Sequence, residues 1–283
     1  MINQWLEDYQ ILSQEDLLNA KREIMQQVAL AGLARGGFFE HATFYGDTAL
    51  RIFYGLDRYS EDLDFSLNYK DATFSLDRYF DAIKQEFNIL GLDVDISLKQ
   101  KRSISPVESA FLKENTIWGL ITLDEKSRNK TNLPIMKIKI EIDKTPPLLF
   151  TKEIKVLDKP YSFYVSTMTL PSLFAGKMHA VLYREWKSRV KGRDWYDFDW
   201  YVKKGVTLPL NEFLDRAKNS DHLPDSNVDM NIDDFKELLN EKIKALDIEK
   251  AVTDIASFIQ NPQELNIWSK QYFLDLVKTM KVE

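Results

Sequence analysis

Residues 44–67 read Phe44-Tyr45-Gly46-Asp47-Thr48-Ala49-Leu50-Arg51-Ile52-Phe53-Tyr54-Gly55-Leu56-Asp57-Arg58-Tyr59-Ser60-Glu61-Asp62-Leu63-Asp64-Phe65-Ser66-Leu67. The end of this stretch, Asp62 to Leu67, alternates polar and apolar residues, the period of a strand with one covered face. Side chains two apart in a strand point the same way, so Asp62 and Asp64 project together. Paired carboxylates repel unless a cation lies between them. Mg²⁺ suits such a pair, because it takes hard oxygen ligands through one or two carboxylates plus substrate phosphates. The plainer alternative is a pair of solvated acids on an exposed strand face, since D-x-D is short and frequent.

The context upstream sharpens the reading. Gly46-Asp47-Thr48 stands between a strand-like segment, His41 to Tyr45, and a helix, Ala49 to Tyr54, that Gly55 closes. A glycine there lets the backbone N–H groups of a helix start come close to a phosphate. Downstream, Lys137-Ile138-Lys139-Ile140-Glu141-Ile142-Asp143 alternates strictly, with isoleucines on one face and charges on the other. This strand can supply a third carboxylate, Glu141 or Asp143. Three carboxylates holding two metal ions is an arrangement that serves phosphoryl or nucleotidyl transfer. An amphipathic edge strand with solvated charges is the alternative.

Outward from this centre, Ser13 caps a helix carrying Leu17, Leu18, Ile24, Val28 and Leu33 that ends near Gly36-Gly37. A helix over 76–90 stops at Gly91, strands follow at 94–98, 117–123 and 135–143, and Pro146-Pro147 ends the last. From Thr169 the pattern becomes helical, at 170–184, 194–202, 210–217, 232–245, 248–258 and 267–280; 219–230 is loose. The expected architecture is an α/β domain with a small mixed sheet over residues 1–165, followed by an α-helical domain over 166–283. The site is expected in the cleft between them.

Composition excludes several classes. The 283 residues are 44% hydrophobic and 12% aromatic, enough for a substantial core. Cysteine is absent, which removes disulfides, zinc–thiolate centres and thiol nucleophiles. No run approaches the length of a membrane span and the start resembles no secretory signal, so a cytoplasmic protein without membrane contact is expected. A net charge of −6 argues against a surface that coats nucleic acid, though it leaves room for a local basic groove.

In the helical half, Leu173, Lys177, Ala180 and Arg184 share one helix face. Lys177 is there either as a snorkelling stem or as a phosphate ligand. Asp194 and Asp197, three apart, repel each other unless a cation or Arg193 lies near, and a structural salt-bridge cluster is the alternative to a functional pair. The run from Arg184 to Arg193 carries Lys187, Arg189 and Lys191, with Trp186 interleaved. It could hold an RNA backbone, and a solvated basic loop is the more frequent outcome. His179 reads as structural, while His41 and His222 lack partner spacing.

The segment from Phe44 to Phe65, with Lys177-Met178-His179-Ala180, Arg184 and Arg193-Asp194-Trp195-Tyr196-Asp197-Phe198, resembles the AbiEii/AbiGii abortive-infection toxin family. The resemblance implies a nucleotidyltransferase of the DNA polymerase β-like fold, usually the toxin of a bacterial toxin–antitoxin pair. It implies nucleoside triphosphate substrates, Mg²⁺ or Mn²⁺, an acceptor that in some members resembles a tRNA 3′ end or other RNA, and a cognate antitoxin. Carried over by position, Asp62 and Asp64 bind metal, and Glu141 or Asp143 takes the third acidic role. Lys177 contacts phosphate, and Asp194 or Asp197 belongs to the RDxxD-like element; beyond the resemblance, Arg58 or Arg193 is expected to help Lys177 neutralise the transferring phosphates. Gly46, Asp47, Thr48 and Ser60 fall in the nucleotide-binding motif. One position departs from the pattern: Asp47 stands where the family usually has glycine, or related enzymes serine. An N-cap role there would leave the backbone open to phosphate. Two rival expectations remain: a catalytically silent relative that binds RNA or protein, and a metal-dependent phosphohydrolase.

Overall fold

The computed structural model describes residues 1–98, 116–123, 136–184, 190–220, 222–223 and 230–283. The chain divides into two compact units. One holds Met1–Phe53, Tyr59–Leu148 and Lys152–Thr167; the other holds Tyr54–Arg58, Leu149–Thr151 and Met168–Glu283.

In the first unit, α1 (Ile2–Trp5) precedes the long helix α2 (Gln14–Arg35). The Ser13 hydroxyl accepts the Asp16 N–H at 3.0 Å, and Glu15 and Asp16 in the first turn suit the positive end of the helix dipole. Gly36 ends the helix. Its later turns are buried nearly all round, from Ala29 to Leu33. Gly32 permits this, because a Cβ there would stand 2.5 Å from the Ile83 backbone. Ile83 belongs to α4 (Phe80–Ile89), which a 3₁₀ turn at Asp77–Tyr79 introduces, so the helix expected from Leu76 starts four residues later.

Among the described residues, seven strands form one mixed sheet: β1 (Ala42–Tyr45), β2 (Asp62–Leu67), β3 (Val94–Leu98), β4 (Thr116–Leu123), β5 (Lys137–Asp143), β6 (Lys152–Leu157) and β7 (Phe163–Met168), in the order β3-β4-β5-β2-β1-β7-β6. Helix α3 (Gly46–Tyr54) joins β1 to β2. The strands β6 and β7 were outside the sequence expectation, and they enlarge the small sheet it described. The segment 152–168 alternates only in part, and its pairing with β1 is a long-range event that local pattern does not encode.

β2 lies near the middle of the sheet, antiparallel to β1 and parallel to β5. Its apolar residues Leu63, Phe65 and Leu67 and the isoleucines 138, 140 and 142 are completely or almost completely buried. Phe65 meets the Phe38 ring at 4.8 Å and the Phe44 ring at 5.1 Å. This apolar layer fixes the register, since a slip of one residue would turn every isoleucine out and every charge in.

The second unit is built from α5 (Leu170–Tyr183), α6 (Gly192–Lys203), α7 (Leu210–Asn219), α8 (Ile232–Lys244), α9 (Ile248–Ile255) and α10 (Lys270–Thr279), with a small parallel pair β8 (Thr207–Leu208) and β9 (Lys281–Val282). Pro171 opens α5, where a missing N–H costs nothing. Phe174 of α5 stacks on Tyr201 of α6 at 4.4 Å. Gly192 lets α6 start against α9, since a Cβ there would come within 1.9 Å of the Ala251 carbonyl oxygen. The basic run expected between Arg184 and Arg193 falls largely on residues 185–189, outside the described residues, as do most of 219–230.

Glu212 on α7 is nearly buried, and burial pushes its carboxyl above the ordinary range; Ser172 and Arg216 pull it back only in part. A carboxyl raised on folding favours the protonated folded state, so its effect on stability turns unfavourable as pH rises from the ordinary value through the raised one. Glu212→Gln should abolish this fall and raise the melting temperature by ~1–3 °C near neutrality, with no gain at about pH 4. Thermal melts across that range check it; a variant tracking the wild type throughout would contradict it.

Candidate active site

The acidic pair stands where the alternation placed it. Asp62 and Asp64 are half-buried on β2, between the buried Leu63 and Phe65. The parallel register sets Asp62 beside Lys139, Asp64 beside Glu141 and Ser66 beside Asp143. Residues in register on neighbouring strands share a face, so Asp62, Asp64 and Glu141 form one acidic corner with Lys139 among them. Asp143 lies farther along, and its carboxylate accepts the Thr145 N–H at 3.0 Å, closing the turn after β5. Of the two alternatives for a third acid, Glu141 is therefore the neighbour of the pair.

Lys139, which the sequence reading did not single out, makes an ion pair with Glu141. Lysine and glutamate two apart on a strand are an ordinary signal of such a pair. Among the described residues no three His, Asp or Glu side chains are gathered into a ready-made metal cage. The donor set is nonetheless all hard oxygen, and Mg²⁺ or Mn²⁺ needs only one or two protein carboxylates when a substrate supplies the rest.

Gly46, the first residue after β1, closes the corner. It adopts φ +81°, and a Cβ on it would stand 2.5 Å from Oδ2 of Asp64. Glycine is required twice here, for backbone conformation and for the space Asp64 occupies. Asp47 does not take the expected cap position, because α3 already begins at Gly46 and Asp47 lies within its first turn. An acid there still complements the helix dipole. The Thr48 hydroxyl donates to the Asp62 carbonyl and is 2.9 Å from the Ser60 hydroxyl. Gln26 Nε2 in turn donates to the Ser60 carbonyl at 3.3 Å. Thr48 and Ser60 thus lash the start of α3 to the start of β2, which holds Gly46 and the acidic pair in one arrangement.

In the second unit Arg58, Lys177, Asp194 and Asp197 form a buried network, with the partly exposed Arg184 at its edge. The Arg58 guanidinium is fully buried and donates through Nε and an Nη to the two oxygens of Asp197, each at 2.6 Å. Lys177 reaches Asp197 at 2.7 Å and Asp194 at 2.9 Å, and Arg184 donates to Asp194 at 3.2 Å. The salt-bridge alternative describes this geometry: three cations surround two carboxylates that α6 presents three residues apart. Arg58, expected at phosphate, has Asp197 as its bidentate partner. Arg193, expected beside it, lies over the Phe258 ring at 4.1 Å.

Other polar groups found partners that spacing alone did not reveal. His179 and His222 stand 3.0 Å apart, so His222 does have a partner. His41 is 2.9 Å from the Tyr69 hydroxyl. The Tyr196 hydroxyl donates toward Asp57 at 2.8 Å and Glu264 at 3.1 Å, and burial with those carboxylates pushes its phenol above the ordinary value. No described helix is long and apolar enough to cross a membrane.

Comparison with solved structures supports the fold. A candidate nucleotidyltransferase from H. pylori aligns with a TM-score of 0.50 and 21% identity, over 94% of this chain and 92% of that one. JHP933 from Helicobacter pylori aligns with a TM-score of 0.54 and 17% identity, over 95% of this chain and 92% of that one. No curated protein matches the chain in sequence. The sequence model of the nucleotidyl transferase AbiEii toxin, of type IV toxin–antitoxin systems, matches residues 28–275. That span holds the acidic pair, the glycine turn and the buried ion network, and the chain belongs to the AbiEii nucleotidyl transferase toxin family.

Proposed function

We propose that the protein transfers a nucleoside monophosphate from a nucleoside triphosphate to an acceptor hydroxyl, releasing diphosphate, in a reaction that depends on a divalent metal. The observation that carries this is the acidic corner: Asp62 and Asp64 side by side, Glu141 in register with Asp64, and Gly46 set directly against the Asp64 carboxylate. Asp62, Asp64 and Glu141 would hold Mg²⁺ or Mn²⁺. Bound there, the ion would supply Lewis-acid stabilisation of charge on the transferring phosphate.

The chain's own groups do the rest. The backbone N–H groups after Gly46 offer donors to a phosphate oxygen at a helix start. Glu141, once Lys139 gives it up, either completes that metal site or, staying off the metal, accepts the proton of the acceptor hydroxyl. Lys177 is proposed to neutralise phosphate charge, with Asp194 and Asp197 holding its ammonium in place. The acceptor we propose is RNA, with a tRNA 3′ end as its simplest form, and growth arrest by this activity would be countered by a cognate antitoxin in the cytoplasm.

Purified protein incubated with each labelled triphosphate, Mg²⁺ and total cellular RNA should place label in an RNA band. Phosphate release without labelled RNA would point to hydrolysis instead, and no turnover in either form would sink the proposal. A second reading, a silent relative that binds RNA or protein, is favoured by Lys139 occupying Glu141 and by the acid at position 47. Calorimetry separates the two, since nucleotide binding that needs Mg²⁺ belongs only to the enzyme.

Gly46→Ala probes the turn. The new methyl would meet Oδ2 of Asp64 at 2.5 Å on a backbone at φ +81°. The expected cost is ~1–2 kcal/mol of stability from the backbone alone, with transfer reduced at least about tenfold, as a shift of ~1.4 kcal/mol in the barrier implies. Chemical denaturation and the labelling assay measure the two separately.

A further inference from the structure

The strand β6 ends the seven-stranded sheet, so among the described residues one row of its backbone donors and acceptors has no strand beside it. Such an edge is a template for pairing with another chain, and proteins commonly blunt it with charge or proline. β6 reads Lys152-Glu153-Ile154-Lys155-Val156-Leu157 and contains no proline. It also exposes what an edge usually hides: Ile154 is 62% and Val156 51% exposed, and on the neighbouring β7 Tyr164 is 71% exposed.

The charges on β6 are arranged to match a copy of themselves. In an antiparallel pair related by a two-fold axis, each residue faces the one equally distant on the other side of the centre. Centring the pair on Glu153 sets glutamate against glutamate, and centring it on Lys155 sets lysine against lysine; both are unfavourable across a ladder. Centring it on Ile154 sets Glu153 against Lys155 of the second copy, twice by symmetry. Ile154 then meets its own copy, and Val156 lies against the methylenes of Lys152. Glu153 and Lys155 already bridge at 3.1 Å within one chain and remain about one-third exposed, so both can reach outward.

We infer that β6 is a homodimerisation edge, on which a second copy of the chain adds its own β6 antiparallel, centred on Ile154, to join two sheets into one. The inference is independent of the proposed chemistry. A single strand pair buries less than a standard interface, so self-association in about the micromolar range is expected.

Sedimentation velocity on the full chain, from about 1 to about 200 μM protein in about 0.1 M salt, tests it. The wild type should pass from monomer to dimer. Glu153→Lys should weaken the dimer at least about tenfold, and Glu153→Lys with Lys155→Glu should restore it, because the exchanged charges again face their opposites. Circular dichroism confirms that the variants fold; if Glu153→Lys does not, Ile154→Lys, which sets lysine against lysine at the axis, takes its place. A monomer at every concentration, a dimer indifferent to the single exchange, or a folded double exchange that fails to restore pairing would each overturn the assignment.

Discussion

Replacing Asp62 and Asp64 together by alanine is expected to lower nucleotide transfer by ~10³-fold or more while the protein stays folded. The magnitude follows from what a bound cation supplies. Charge stabilisation by a metal amounts to several kcal/mol, and each ~1.4 kcal/mol of barrier is a factor of ten in rate. The fold should survive because neither side chain belongs to the core. Both are half-buried on the polar face of β2, while Leu63 and Phe65 between and beyond them are 0% exposed. Removing two adjacent acids also removes their mutual repulsion. The thermal melt without metal should be unchanged or slightly higher, and the rise in melting temperature with Mg²⁺ that the proposed site predicts for the wild type should be absent. Undiminished labelling of RNA by the double variant would remove the acidic corner from the chemistry.

The second large effect concerns stability. Arg58→Ala should cost ~3–5 kcal/mol, the penalty of leaving a buried charge without its main partner. The Asp197 side chain is 0% exposed and takes both of its 2.6 Å hydrogen bonds from Arg58. Lys177 would remain as its counter-ion, but Lys177 already serves Asp194 as well. For a chain of this size the melting temperature should fall by ~10 °C. Replacing both partners, with Arg58→Met and Asp197→Leu, should recover much of the loss, because the desolvation cost of both charges goes with them. A single variant that melts within about a degree of the wild type would show that the pair holds nothing together.

The site was legible to different depths. The alternation of Asp62 to Leu67 and of Lys137 to Asp143 reported two strands and the face each charge takes, because a strand's period of two is written into its own residues. Which acid lies beside the pair was not legible: Glu141 and Asp143 occupy the same face, and only the parallel register puts Glu141 next to Asp64. Likewise Lys177, Asp194 and Asp197 were readable as a charged set, but Arg58 lies 139 residues from Asp197, and no local pattern announces that bond.

By itself the sequence determined what depends on neighbours along the chain: the Ser13 cap, the glycine stops, the helical change after Thr169, and a glycine turn followed by two acids sharing a face. Tertiary structure decided what depends on distance: the strand order, the pairing of β6 and β7 into the sheet, the register that sets Glu141 beside Asp64, and the burial of Arg58 against Asp197. The physical reason is that local energies are set by a few adjacent dihedrals and side chains. Strand register and buried charge pairing instead arise from segments far apart in sequence, which must exclude water together before either arrangement is favourable.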